Sequence, residues 1–89
     1  MPDRRIRIQN KLGLHARASA RFATTASRFA SDVVLIKDDV EVNGKSIMGI
    51  MMLAASKGTE LVLRAEGEDA EEALDAIEAL VNEHFGEEA

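Results

Sequence analysis

What most constrains the fold of this chain is how often its apolar pattern changes period within 89 residues. Ile6 and Ile8 alternate with Arg5, Arg7 and Gln9, a period of two that turns one face of a strand inward over Arg4 to Gln9. Asn10 to Gly13 breaks that pattern. Leu14, Ala18, Phe22, Ala26 and Phe29 then recur every three or four residues, with Arg17, Arg21 and Arg28 off the stripe, which predicts an amphipathic helix ending near Ala30. Val33 to Lys37 and Val40 to Asn43 are β-branched runs parted only by Asp38 and Asp39, close enough for a hairpin with a tight polar turn. Ser46 can cap a short helix over about Ile47 to Ser56, with Gly58 in the left-handed position beyond its end. Leu61, Leu63 and Ala65 alternate with Glu60, Val62, Arg64 and Glu66 in a fourth strand that Gly67 closes. Asp69, with Glu72 three residues on, makes a capping-box-like start for a last helix. Its stripe is Ala70, Ala73, Leu74, Ile77, Leu80 and Val81, running to about His84.

Strand, helix, strand, strand, helix, strand, helix, in a chain too short for long crossovers, predicts an α+β fold: an antiparallel sheet with helices packed on one face. No internal repeat or linker interrupts it, so residues 1–89 read as one domain, with Glu87 to Ala89 a frayed tail.

Composition removes several functions. Apolar content of 46% fits a folded chain rather than a disordered one. With no cysteine, and only His15 and His84 as imidazole ligands, neither a disulfide framework nor a structural metal is expected, and no cofactor is called for. A net charge of −5 without Trp or Tyr argues against nucleic acid, which needs a basic surface and stacking platforms. No apolar run approaches the roughly 20 residues that cross a bilayer, and Met1 to Arg7 is charged rather than signal-like, so a cytoplasmic monomer without membrane insertion is expected. The charge is uneven: Ala65 to Ala89 holds no Lys or Arg, whereas Arg4, Arg5, Arg7, Lys11, Arg17, Arg21 and Arg28 load the front, where an acidic partner would meet it.

Gly13-Leu14-His15-Ala16-Arg17 sets a histidine where a helix begins, a place usually given to Ser, Thr, Asp or Asn. Open backbone N–H groups and the positive helix end favour an anion there, so a phosphoryl group on the ring could be held by the amides of Ala16 and Arg17. The same field disfavours imidazolium and so helps to leave one ring nitrogen nucleophilic near neutral pH. Arg17 can reach the phosphoryl oxygens and offset their charge in transfer. The plainer account, a surface histidine beside a solvated arginine, fits these two positions equally well.

The second helix is apolar nearly all round: Ile50, Leu53 and Ala54 can face a core while Ile47, Met48, Met51 and Met52 remain. Flexible thioethers suit a surface that must accept several partners, although they also fill irregular core space. Docking is the preferred reading for Ile47, Met48 and Met51, and Ala20 of the first helix is placed with them. Gly49 inside that helix costs about 1 kcal/mol relative to Ala, which close approach of another surface or tight internal packing would explain. Ser46 reads first as an N-cap, but a phosphate there would be tolerated and would add charge beside the docking residues. His84, near a helix end, reads as structural.

Taken together, Asn10-Lys11-Leu12-Gly13-Leu14-His15-Ala16-Arg17 and Gly44-Lys45-Ser46-Ile47-Met48-Gly49-Ile50-Met51 resemble the active-site and regulatory segments of the histidine-containing phosphocarrier HPr family. That family serves the bacterial phosphoenolpyruvate-dependent phosphotransferase system, and with the order of elements the match covers Arg4 to Phe85. The resemblance implies an open-faced β-sandwich of βαββαβα order, with strands in spatial order 1-4-2-3 and three helices on one face. It implies that His15 takes phosphate on Nδ1 from enzyme I and gives it to an enzyme IIA protein or domain, as a stoichiometric carrier rather than an enzyme. It also implies Ser46 as a target of HPr kinase/phosphorylase, slowing transfer to His15. Many members carry proline after the active-site arginine. Here Ala18 suits a helix interior, and proline-lacking sequences resemble carriers of nitrogen-related relays (NPr-like) as well as sugar-transport ones. The alternative function is a regulatory adapter acting through the docking surface and Ser46, against which the presence of His15 and Arg17 speaks.

Overall fold

Each period-two stretch of the sequence becomes a strand, and each stretch of period 3.6 becomes a helix. The computed structural model of the chain describes residues 3–87. Its elements are β1 (Asp3–Arg7), α1 (Ala16–Ser27), β2 (Asp32–Lys37), β3 (Val40–Asn43), α2 (Ile47–Met52), β4 (Glu60–Glu66) and α3 (Ala70–Asn82), followed by a 3₁₀ turn at His84–Gly86. The four strands form one antiparallel sheet in the order β1-β4-β2-β3, with the three helices on one face, the open-faced α+β sandwich expected.

Alternation decides which side chains meet. Ile6, Val33, Leu35, Leu61, Leu63 and Ala65 point inward and join Ala18, Phe22, Ile50, Leu74, Ile77 and Val81 in one core. On the same side of β1, Arg4 reaches over to α3 and pairs with Glu71 at 3.0 Å, Asp75 at 2.6 Å and Glu78 at 2.9 Å. On the opposite side, register sets Asp3 against Arg64 and Arg7 against Glu60. Both pairs close as ion pairs, at 2.8 and 2.9 Å. Their hydrogen bonds to arginine hold the Asp3 and Glu60 carboxyls below their usual range.

Several boundaries differ from expectation, each for a local reason. β1 ends at Arg7 rather than Gln9, although Ile8 still exchanges backbone bonds with Thr59 and Gly58. α1 ends at Ser27, short of Ala30, because the amides of Ala30 and Ser31 and the Ser31 hydroxyl all donate to the Asp69 carboxylate. Asp69 is therefore no side-chain cap of α3; its carboxylate is spent on the loop before β2, which holds that carboxyl below its usual range. Phe29 stays half-buried, and Ser19 and Ala23 fill the core side of α1 instead.

α2 stops at Met52 rather than Ser56, and Ala54, at φ +50°, takes the left-handed position assigned to Gly58. Gly58 does have φ +92°, but its N–H is bonded to Ile8 O, so it serves the approach to β4. As a result Ala55 is buried and Ala54 exposed, the reverse of what a longer helix would give. α3 ends at Asn82, and Phe85, at φ +57°, folds back to be fully buried. Of the expected frayed tail, Glu87 is packed against the protein, and Glu88 and Ala89 lie outside the described residues. The charged start read from Met1 likewise begins outside them, at Met1 and Pro2.

Candidate functional site

His15 is the N-cap of α1, in extended backbone conformation, and its side chain makes no capping bond. The first bond of the helix runs from Ser19 N to His15 O at 2.8 Å. Earlier amides of the turn have no residue four back within the helix to pair with, and those of Ala16 and Arg17 find no other partner among the described residues. A serine or aspartate in place of His15 could have accepted from one first-turn amide, that of Arg17 or Ala18; the ring makes no such bond.

The loop that carries His15 is fixed from behind. Gly13, at φ +67°, is buried so tightly that an added Cβ would sit 2.5 Å from Ala55 O and 2.8 Å from Ser56 Cα. Leu14 N donates to Ala55 O at 2.8 Å, so the segment directly after α2 holds the start of α1. Asn10, fully buried, donates from Nδ2 to Gly13 O at 2.8 Å and closes the loop on itself.

Around the ring lies an open pocket of about 770 Å³ lined by Lys11, Leu12, His15, Ala16, Arg17, Arg21, Gly86 and Glu87. The His15 side chain is 30% exposed, so it is reachable yet held. Its Nδ1 is 3.3 Å from Gly13 O and its Nε2 is 3.0 Å from a Glu87 carboxylate oxygen. Lys11 and Arg17 are exposed, while the Arg21 guanidinium donates to Phe85 O. Three cationic side chains in the lining and open amides at the helix mouth outweigh the one carboxylate of Glu87, so the pocket is suited to a small, multiply charged anion bound to or beside the ring.

His15, Ala16 and Arg17 line this one pocket. Ser46 caps α2, its hydroxyl accepting from Gly49 N at 3.0 Å. Gly49 is explained internally: a Cβ there would meet Ser46 Oγ at 3.2 Å and Val42 Cβ at 3.5 Å. Ile50 and Leu53 face the core, whereas Ile47, Met48, Met51 and Met52 are exposed, Met48 and Met52 to 76% and 78%. Ala20 is half-buried in a groove with Arg17, Thr24 and Leu80 of α3, and Thr24 in turn lines a second groove with Ile47 of α2. His84 starts the 3₁₀ turn at φ +57°.

Sequence reading missed Leu12, Arg21, Asn10 and Glu87. Arg21 lies one turn beyond Arg17 and was open to discovery by helical spacing. Leu12, 66% exposed, carried a weaker signal as an apolar residue in a polar loop. Nothing local marked Glu87 or the buried role of Asn10.

The family model of the PTS HPr component phosphorylation site matches residues 2–83, and the chain belongs to this HPr family of phosphotransferase-system phosphocarriers. It is 58% identical over 82 residues to the phosphocarrier protein HPr of Neisseria meningitidis, 92% of each chain being covered. The crystal structure of HPr from Thermoanaerobacter tengcongensis matches over 100% of both chains with a TM-score of 0.96 and 50% identity. The crystal structure of the catabolite repression protein Crh of Bacillus subtilis, described as a dimer with a swapped domain, covers 94% of this chain and 97% of its own. Its TM-score is 0.76 and its identity 50%. Among the described residues no helix is long and apolar enough to cross a membrane, and no cluster of three or more metal-ligating side chains occurs.

Proposed function

We propose that His15 accepts the phosphoryl group from enzyme I and donates it to an enzyme IIA protein or domain, the chain acting as a stoichiometric carrier whose transfers are catalysed jointly with its partners. The observation that carries this reading is the partly exposed ring at the mouth of α1, beside the exposed Arg17 side chain and the amides of Ala16 and Arg17, which have no partner among the described residues. In transfer, a ring nitrogen lone pair forms the N–P bond as the bond from phosphorus to the donor breaks, and the amides and Arg17 offset charge on the phosphoryl oxygens. In donation the same steps run backward.

Ile47, Met48 and Met51 form the docking surface, with Met52 and Leu12 extending it. The tie from Leu14 N to Ala55 O couples the end of α2 to the His15 loop, which supports one partner covering both. Ala20, in a groove with Arg17 and Thr24, belongs to the same surface, since Thr24 also borders Ile47. Phosphorylation of Ser46 by an HPr kinase/phosphorylase would put up to about two negative charges beside this surface and weaken docking of an acidic partner face. The carrier works in the cytoplasm as a single domain and a monomer, without cofactor, metal, nucleic acid or membrane insertion, in either sugar uptake or a nitrogen-related relay. The likeness to Crh favours one second reading, a regulatory adapter that acts through Ser46 and α2.

Incubation with enzyme I, phosphoenolpyruvate and magnesium tests the carrier. Acid-labile label on the wild-type chain and none on a folded His15→Ala variant is the expected result. If His15→Ala keeps every cellular function while Ser46→Ala loses it, the adapter reading replaces the carrier.

A further inference from the structure

Glu87 lies past residues 2–83, the stretch the family model matches, yet its carboxylate lines the His15 pocket. The side chain is only 12% exposed. Oε1 accepts from Asn10 Nδ2 at 3.0 Å, and Oε2 is buried 3.0 Å from His15 Nε2 with no hydrogen-bond partner elsewhere among the described residues. The Oε2 contact is an electrostatic approach rather than an aligned hydrogen bond. A buried carboxylate oxygen needs a donor, and among the described residues the ring nitrogen at 3.0 Å is the group placed to supply one. Nor is Glu87 there by chance of a loose chain end: Phe85 is fully buried two residues before it, and the Arg21 guanidinium donates to Phe85 O.

The two ring nitrogens therefore face unequal acceptors. Nε2 faces a carboxylate at 3.0 Å. Nδ1 lies in hydrogen-bond geometry with the Gly13 carbonyl, but at a long 3.3 Å and to an oxygen that already accepts from Asn10 Nδ2 at 2.8 Å. A neutral imidazole carries one N–H, and the stronger, otherwise unpartnered acceptor decides where it sits. Asn10 takes part on both sides, relieving Gly13 O and anchoring Glu87.

We propose that Glu87 is a positioning residue for phosphoryl transfer: its carboxylate holds the neutral His15 ring with the proton on Nε2 and leaves the Nδ1 lone pair to attack phosphorus. This rests on the reading of His15 as the phosphoryl acceptor. As the Nδ1–P bond forms, the bond from phosphorus to the donor breaks and its electron pair stays with the donor. The ring becomes cationic with its proton still on Nε2, and Glu87 faces that new charge. In the onward step the retained proton lets the ring leave as neutral imidazole rather than imidazolate, so no proton has to move in either direction.

Glu87→Gln tests this with almost no change of shape. Asn10 Nδ2 needs an acceptor, so the glutamine turns its carbonyl oxygen to Asn10 and its NH₂ to His15 Nε2, which selects the opposite tautomer. Nitrogen-15 spectra of the full chain, with the His84 ring as internal comparison, are expected to show Nε2–H on His15 in the wild type and Nδ1–H in the variant. The initial rate of His15 labelling by enzyme I and phosphoenolpyruvate is expected to fall about tenfold to a hundredfold. Should Glu87→Gln fold poorly, Glu87→Ala, which removes the carboxylate without supplying a donor, is expected to show mixed tautomers and an intermediate rate. An unchanged tautomer, or an unchanged rate, overturns the proposal while leaving the carrier reading intact as long as the label stays on His15. Label persisting in His15→Ala overturns the carrier reading itself.

Discussion

At the scale of single residues, the site depends on one backbone position as much as on its ring. Gly13 combines φ +67° with an approach to Ala55 O that leaves no room for a Cβ. Gly13→Ala is expected to cost about 2 kcal/mol or more, adding left-handed strain to the clash, and to slow His15 labelling by displacing the loop. Urea unfolding and a labelling time course measure the two effects. Ser46 accepts from Gly49 N, so Ser46→Ala is expected to cost about 1 kcal/mol through loss of the cap, while labelling of His15 stays near the wild-type rate.

Elements carry the proposed docking surface and the ties between loops. α2 has six residues, with Ile50 alone of them buried, and Leu53 follows as the next anchor. Met48, 76% exposed, has little core to lose. Met48→Asp is expected to change stability by less than about 0.5 kcal/mol. It is expected to weaken enzyme I binding at least about tenfold, as measured by titration calorimetry, because a charge is then buried in an apolar contact. Asp69 ties the start of α3 to the loop before β2 through Ala30 and Ser31. The Ser31 hydroxyl and then the Ala30 amide lower its folded pKa, so this tie stabilises the fold above the unfolded value of about 3.9 and is lost as pH falls through the folded one. Asp69→Asn is therefore expected to be less stable than wild type at pH 7, with the gap closing as unfolding is followed from about pH 4 downward.

For the molecule as a whole, one core joins the inner face of the sheet to all three helices, and Phe85 closes it after α3 has ended. Unfolding is expected to be a single cooperative transition, coincident by circular dichroism at far-ultraviolet wavelengths and by amide exchange of the core. Phe85→Ala is expected to cost about 3–5 kcal/mol and to release Glu87 from the pocket, joining a loss of stability to slower labelling. Charge acts at this scale too. Basic residues at the pocket and acids along α3 leave the chain polarised, and Arg4 offsets part of the α3 field through Glu71, Asp75 and Glu78.

By itself the sequence determined the elements, their order and the placing of His15 at a helix start, because periodicity and capping are local properties that neighbours in the chain decide. The spatial order β1-β4-β2-β3 followed from no period; it came with the family resemblance, and in the structure the pairing of β4 between β1 and β2 carries it. Tertiary structure alone decided that Asp69 serves the loop before β2 rather than its own helix, and that α2 ends early so that Ala55 can hold Leu14. It also brought Glu87 to the His15 ring across 72 positions of sequence, through a buried Phe85 and the amide of Asn10. Such contacts depend on which surfaces meet once the core has closed, and no pattern along the chain encodes them.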